Sequence, residues 1–209
     1  PLRRGIATGK RVRRALADLA ADRVRLTGRV GPGRLLVVGG SLGAKVLNEM
    51  VPAALALIPA PERPQVRHQA GQQTLTMARQ AYAAAGVEAE VTPFIADMAQ
   101  AYGWADLVVC RAGALTVSEL AAAGVGSILV PYPHAVDDHQ QGNARFLAEA
   151  GAARLINQRD LTVTELAAQI RSLLRDRATL LAMAEASRAL ANPDAAERIA
   201  SACWELARR

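Results

Sequence analysis

Aromatic side chains are scarce in this 209-residue chain, with two Phe, two Trp and three Tyr. A core must therefore be built from Ala, Leu, Val and Ile, and the 51% hydrophobic content supplies them. Cysteine is almost absent. Cys110 and Cys203 stand alone, one in an apolar stretch and one close to the C-terminus. They make no disulfide framework, and a reducing cytosolic setting is the simplest reading. No Cys/His spacing matches a zinc site. No apolar run reaches the roughly 18 residues of a membrane-spanning helix. Pro1 to Arg14 are basic with no apolar stretch behind them, unlike a secretory signal. Position 1 is Pro rather than Met, which reads as a piece of a longer protein.

Acidic residues are rare at the start. The net charge is +6, yet residues 1–34 hold ten Lys/Arg against only Asp18 and Asp22. The rest of the chain is slightly acidic. This divides the chain into a basic segment, 1–33, and a domain, 34–209. The segment suits an anionic membrane surface or a phosphate-bearing ligand. Nucleic acid fits poorly, because no aromatic residue is there to stack on bases. The alternative is a solvated leader. Gly5–Thr8 reads as a short strand and Val12–Leu19 as a short helix.

From Arg34 onward the rhythm is regular. Short strand-like runs at Leu35–Val38, Gln65–Gln69, Ala89–Pro93, Leu107–Cys110, Ser127–Val130 and Ala153–Ile156, most of them apolar, alternate with helical patterns. These cover 45–58, 72–85, 98–102, 115–123 and 140–150, and the rest is helical with a break at Asn192-Pro193. Continuous apolar strands between helices predict an α/β fold: a Rossmann-like, doubly wound parallel sheet covered on both faces. Such sheets bind ligands beyond the carboxyl ends of their strands. Three polar or glycine-rich stretches follow strands, namely Gly39–Ala44, Arg111–Glu119 and Pro131–Asn143. They are expected to line one crevice.

Residues 106–119, Asp-Leu-Val-Val-Cys-Arg-Ala-Gly-Ala-Leu-Thr-Val-Ser-Glu, are the centre of that expectation. A buried strand, a small-residue turn and a helix start follow one another. The helix start carries unpaired N–H groups and partial positive charge, which suit a phosphate. Glu119, placed in the first turn, can reach the hydroxyls of a bound sugar. Thr116-x-x-Glu119 also matches a capping box, and the residues alone leave both readings open.

The other stretches are less specific. Gly39-Gly-Ser-Leu-Gly43 is neither the dinucleotide G-x-G-x-x-G nor a P-loop. Its glycines allow close backbone approach and Ser41 can donate to a phosphate or sugar, but packing alone accounts for many such turns. A dinucleotide site would want an acidic residue at a strand end about 20 residues on, and Glu62 precedes its strand instead. His134 and His139 lack the spacing and partners of a metal site. Asp137 and Asp138 suit the start of the next helix. Gln140 and Asn143 offer donors and acceptors for sugar groups. No Ser-His-Asp or Cys-His set appears, nor an opposed carboxylate pair for glycoside hydrolysis.

Gly39-Gly-Ser-Leu-Gly-Ala44, Phe94-Ile95-x-x-Met98, Cys110-Arg-Ala-Gly-Ala-Leu-Thr-Val-Ser-Glu119 and His139-Gln140-x-x-Asn143-Ala144, in this order, resemble the C-terminal half of the MurG family. These are the peptidoglycan N-acetylglucosaminyltransferases. They move GlcNAc from UDP-GlcNAc to undecaprenyl-diphospho-muramoyl-pentapeptide at the cytoplasmic face of the bacterial inner membrane. The resemblance runs from about Gly5 to Arg198. It implies a GT-B architecture of two Rossmann-like halves, of which this chain is the donor-binding one. It implies no metal and no cofactor.

The resemblance also implies roles. Ser41 contacts the nucleotide or diphosphate, and Ile95 holds the uracil through its backbone. Ala114, Leu115 and Thr116 offer helix-end amides to the diphosphate, with Val117 and Ser118 in the same substrate-binding run. Glu119 holds the ribose hydroxyls. Gln140, with His139, reads the GlcNAc hydroxyls. Arg13 lies near the diphosphate, although the family's Thr-Gly-Asn-Pro-Val-Arg reads Thr8-Gly9-Lys10-Arg11-Val12-Arg13 here, and its common Gly-Gly-Ser-Gln-Gly has Leu42. The catalytic base and the lipid-linked acceptor site are expected in the N-terminal half, so this chain alone is expected to bind donor without transferring sugar. Two alternatives remain: the donor domain of another GT-B transferase, and a non-catalytic nucleotide-sugar module.

Overall fold

The computed structural model describes residues 10, 12–19, 26–40, 43–133 and 138–208. The predicted strand at Gly5–Thr8 lies outside them. Among the described residues six strands form one parallel sheet: β1 (Arg34–Val38), β2 (Gln65–Gln69), β3 (Glu90–Thr92), β4 (Leu107–Cys110), β5 (Gly126–Leu129) and β6 (Ala153–Leu155). Their order is β3-β2-β1-β4-β5-β6, the doubly wound arrangement with its reversal between β1 and β4. The predicted α/β fold is the one observed.

Alternation within the strands supplies both faces of the sheet with apolar side chains. Leu35, Val37, Leu107, Val109 and Ile128 enter one core cluster. Leu36, Val38, Val108, Cys110 and Leu129 enter the other. The first is covered by α2 (Lys45–Ala56), α3 (Leu75–Ala85), α7 (Val163–Arg175) and α8 (Arg177–Ala189). The second is covered by α1 (Arg14–Ala17), α4 (Met98–Trp104), α5 (Ala114–Ala123) and α6 (His139–Glu149). α9 (Ala195–Ala207) follows the break at Asn192-Pro193 and leaves Trp204 and Leu206 exposed.

Helix boundaries differ from the expected ones by a few residues. α3 begins at Leu75 rather than Gln72, because residues 72–74 form a turn. It ends at Gly86, whose φ of 60° gives a left-handed cap. α5 begins one residue early, at Ala114.

The basic segment is largely exposed where it is described, yet it is anchored at a few points. Leu16 and Leu26 are buried. Arg29 donates to the carbonyls of Gly103, Trp104 (2.7 Å) and Ala105 (3.1 Å) and to Asp106 Oδ1 (2.5 Å). Asp106 also accepts from the Arg34 N–H at 2.9 Å, and Arg177 Nη1 lies 3.1 Å from it. One buried carboxylate thus ties the segment to β1, to the entry of β4 and to α8.

β2 buries a histidine in the first core. His68 Nδ1 lies 3.0 Å from the Tyr82 hydroxyl, and burial lowers the imidazole pKa to about 3. The unfolded chain therefore takes up this proton first as pH falls. The associated stability is complete above the unfolded value and is lost from there down to about pH 3. Between pH 7 and pH 5 the chain should lose about 2 kcal/mol more stability than its His68→Gln variant. Denaturant melts at both pH values measure this, and equal losses would refute it.

Candidate active-site crevice

All six strands end in one row. Thr92, Gln69, Val38, Cys110, Leu129 and Leu155 are successive partners across the sheet. The segments that leave these residues therefore emerge level with one another. Between them lies a cavity of ≈ 900 Å³, lined by the glycine turn, the start of α2, Arg111, Gly113, Thr116, Tyr132, Gln140 and Gln158.

The glycine turn is shaped by close packing. Gly43 has φ +75°, and a Cβ there would stand 2.2 Å from Thr74 Oγ1 and 2.3 Å from the Ala70 carbonyl oxygen. Gly39 donates to the Gln69 carbonyl at 3.0 Å, bringing the turn against the end of β2. Ser41 lies outside the described residues.

α5 starts at the cavity wall. Its N-cap is Gly113, which makes no side-chain cap. The first intrahelical bond runs from the Val117 N–H to the Gly113 carbonyl at 2.9 Å. The amides of Ala114, Leu115 and Thr116 thus have no acceptor within the helix, and they carry the positive end of its dipole. Leu115 is half exposed. Val117 has little to offer: its side chain is in the core and its N–H is paired. The Ser118 hydroxyl donates to the Ala114 carbonyl at 3.0 Å.

Glu119 is in the second turn of α5, not the first, because the helix begins at Ala114. The capping box is absent, since Thr116 is a helical residue rather than the cap. The Glu119 carboxylate is buried. Tyr102 donates to its Oε2 at 3.3 Å, and Arg13 Nη2 donates to its Oε1 at 3.5 Å. Burial, followed by the neighbouring Cys110 and Glu119, pushes the Tyr102 hydroxyl well above the ordinary tyrosine value. It therefore remains a donor. Arg13 is 59% exposed on its side chain, so its contact is a weak one at the rim. Ile95 is half-buried between β3 and α4 and packs against the same core. The structure therefore places Arg13, Ile95 and Glu119 around the second core, whereas Thr116 and Gln140 line the cavity.

The segment after β5 is tied down at several points. Gln140 Oε1 accepts from the Tyr132 N–H at 2.9 Å. Asn143 Nδ2 donates to the Ala112 carbonyl at 3.0 Å, so this side chain holds the turn before α5 in place. His139 is exposed at the first position of α6. Asp138 is the helix N-cap, with φ 50° and no side-chain cap. His134 and Asp137 lie outside the described residues. No group of His, Cys, Asp and Glu able to hold a metal occurs among the described residues. Burial raises the Cys110 thiol pKa to about 12, so it is no nucleophile.

Sequence reasoning missed three participants. Tyr102 reaches Glu119 from a different helix. Arg111 was read only as part of a turn, yet its guanidinium bridges three segments. Gln158 lies 47 residues further on and meets Arg111 Nη2 at 2.7 Å. No local pattern announces such a pair.

The model of the glycosyltransferase family 28 C-terminal domain matches residues 34–199. The chain belongs to that family. Among curated relatives it is 57% identical over 200 residues to the "UDP-N-acetylglucosamine--N-acetylmuramyl-(pentapeptide) pyrophosphoryl-undecaprenol N-acetylglucosamine transferase" of Marinobacter nauticus, which covers 96% of this chain and 55% of the relative. It is 61% identical over 199 residues to the protein of the same name from Azoarcus sp., covering 95% of the chain and 55% of that relative. Among solved structures, Acinetobacter baumannii MurG superposes with a TM-score of 0.82 at 42% identity, over 91% of this chain and 55% of that one. The chain thus spans about half the length of the relatives it matches. It is the Rossmann-like half of a GT-B fold.

The geometry of the family 28 turn yields a contrast. Gly43→Ala should cost about 3 kcal/mol or more, through left-handed strain and the collision with backbone. Gly142→Ala, in α6 with nothing within 4 Å of the new Cβ, should gain about 0.5–1 kcal/mol. Thermal denaturation of both variants decides it. A neutral Gly43→Ala would remove the packing explanation of the turn.

Proposed function

We propose that this chain is the UDP-GlcNAc-binding half of a transferase that adds GlcNAc to a lipid-linked muramoyl-pentapeptide in cell-wall synthesis. The observation that carries the reading is the start of α5. Three amides without intrahelical acceptors open at the edge of the cavity, with a buried carboxylate one turn further along. The relatives' names supply the substrate.

Each residue then takes a task. The amides of Ala114, Leu115 and Thr116 receive the diphosphate, and the helix dipole stabilises negative charge on the departing UDP without a metal. Ser41 adds a donor from the glycine turn. Glu119, held by Tyr102, accepts from the ribose hydroxyls. Arg13 swings from Glu119 to the diphosphate when the nucleotide enters. The backbone at Ile95 pairs with the uracil. Gln140 and the adjacent His139 meet the sugar.

Catalysis needs a base and an oriented acceptor hydroxyl, and this reading assigns both to the other half. Holding the two substrates together is a large part of any such rate enhancement. The acceptor is membrane-bound, so the protein works at the inner-membrane surface as a peripheral enzyme, with the basic segment facing anionic lipid. No helix among the described residues is long and apolar enough to cross a membrane.

Calorimetric titration with UDP-GlcNAc tests the donor site. The chain should bind, and Glu119→Ala should weaken binding about tenfold or more, because ribose hydroxyls lose a charged acceptor. Unchanged affinity in the variant would sink the ribose role. In a separate assay with lipid-linked acceptor, the chain alone should incorporate no labelled GlcNAc, and robust incorporation would show that the catalytic base lies within it.

A further inference from the structure

Arg111 lines the cavity. Its guanidinium is already engaged. Nη1 donates to the carbonyls of Val130 (3.0 Å) and Pro131 (3.1 Å), and Nη2 donates to Gln158 Oε1 (2.7 Å). Its carbon end lies 5.4 Å from the Tyr132 ring centroid. The side chain is partly buried, and this desolvation lowers its pKa from the ordinary arginine value.

The Pro131 contact has a particular consequence. The Pro131 carbonyl and the Tyr132 N–H belong to one peptide unit, which is planar, with the two groups pointing in opposite directions. Gripping the carbonyl from one side aims the N–H to the other. That N–H is donated to Gln140 Oε1 at 2.9 Å. An N–H can be met only by the oxygen of an amide, so this bond commits Oε1 of Gln140 to Tyr132 and leaves Nε2 as the end of the amide that it does not use.

We infer that Arg111 is a positioning residue that sets which end of the Gln140 amide meets the donor sugar, acting through the Pro131–Tyr132 peptide. The recognised group is then a hydrogen-bond acceptor, a hydroxyl oxygen of the hexose. Gln158 holds the other side of the guanidinium and keeps the grip in register. This rests on the donor-site reading given above.

The experiment measures dissociation constants for UDP-GlcNAc and for UDP by NMR titration, which reads affinities into the millimolar range. The chain is compared with Gln140→Ala, Arg111→Met, Arg111→Lys and the double variant Arg111→Met/Gln140→Ala. The quantity of interest is the ratio of the UDP to the UDP-GlcNAc constant, because it isolates the sugar. Gln140→Ala should lower this ratio about fivefold, as expected for one lost hydrogen bond. Arg111→Met should lower it by a similar factor, and the double variant should fall no further. Arg111→Lys retains one donor group and should recover part of the loss while remaining folded.

Equal losses of UDP and UDP-GlcNAc affinity in Arg111→Met would assign Arg111 to the diphosphate or to the fold and overturn the proposal. So would additive losses in the double variant. An effect of Gln140→Ala with none of Arg111→Met would also overturn it, leaving the donor-site reading intact. A wild-type chain that binds UDP-GlcNAc no better than UDP would overturn the proposal alone, and one that binds neither nucleotide would overturn both.

Discussion

The cavity and the residues that line it depend on one constraint: six parallel strands that end in the same hydrogen-bonded row. A parallel sheet needs a crossover between consecutive strands, and these crossovers all leave from the same edge. The first residues of each connection are therefore gathered whether or not they are close in sequence. Gly39 and Arg111 begin two such connections, Gln158 follows the last strand from the same edge, and all three line one cavity. Reversal of winding between β1 and β4 opens the sheet there, and the start of α5 stands at that opening.

What fills the crevice is a division of labour between main chain and side chains. In the proposed donor site the groups offered to phosphate are amides, made available because the first turn of a helix has no internal acceptors. Several side chains serve to orient others. Glu119 is held by Tyr102, Gln140 by the Tyr132 amide and Arg111 by two carbonyls. Asp106 does comparable work on the opposite edge, where it ties the basic segment to the start of β4. The second edge is structural and the first is chemical, since the amide ends of a helix lie beyond the carboxyl ends of the strands.

Much of this was legible in the chain itself. The expected strands Leu107–Cys110 and Gln65–Gln69 have the bounds observed, the first because a continuous apolar run between helical patterns has few other solutions, the second because it lies between the Pro59–Pro64 break and the next helical pattern. The turn after β4 and the amide-rich start of α5 were legible for the same reason. The capping-box reading of Thr116 and Glu119 was not separable from a ligand role by sequence. The two readings differ only in where the helix begins, and helix ends are set by local geometry over a residue or two. Tyr102 was invisible as a partner of Glu119 because their contact joins two helices through the core, and Val117 looked available until the packing of α5 turned it inward.

The sequence by itself determined the layering, the strand rhythm, the crevice at the carboxyl edge and the family resemblance, since all of these follow from periodicity and from short contiguous motifs. Only the tertiary structure decided which polar atoms face the crevice and which are consumed in holding it. Arg111 donates to residues 19, 20 and 47 positions away. Hydrogen bonds of that span depend on how the connections pack beyond the sheet, and no local pattern encodes them.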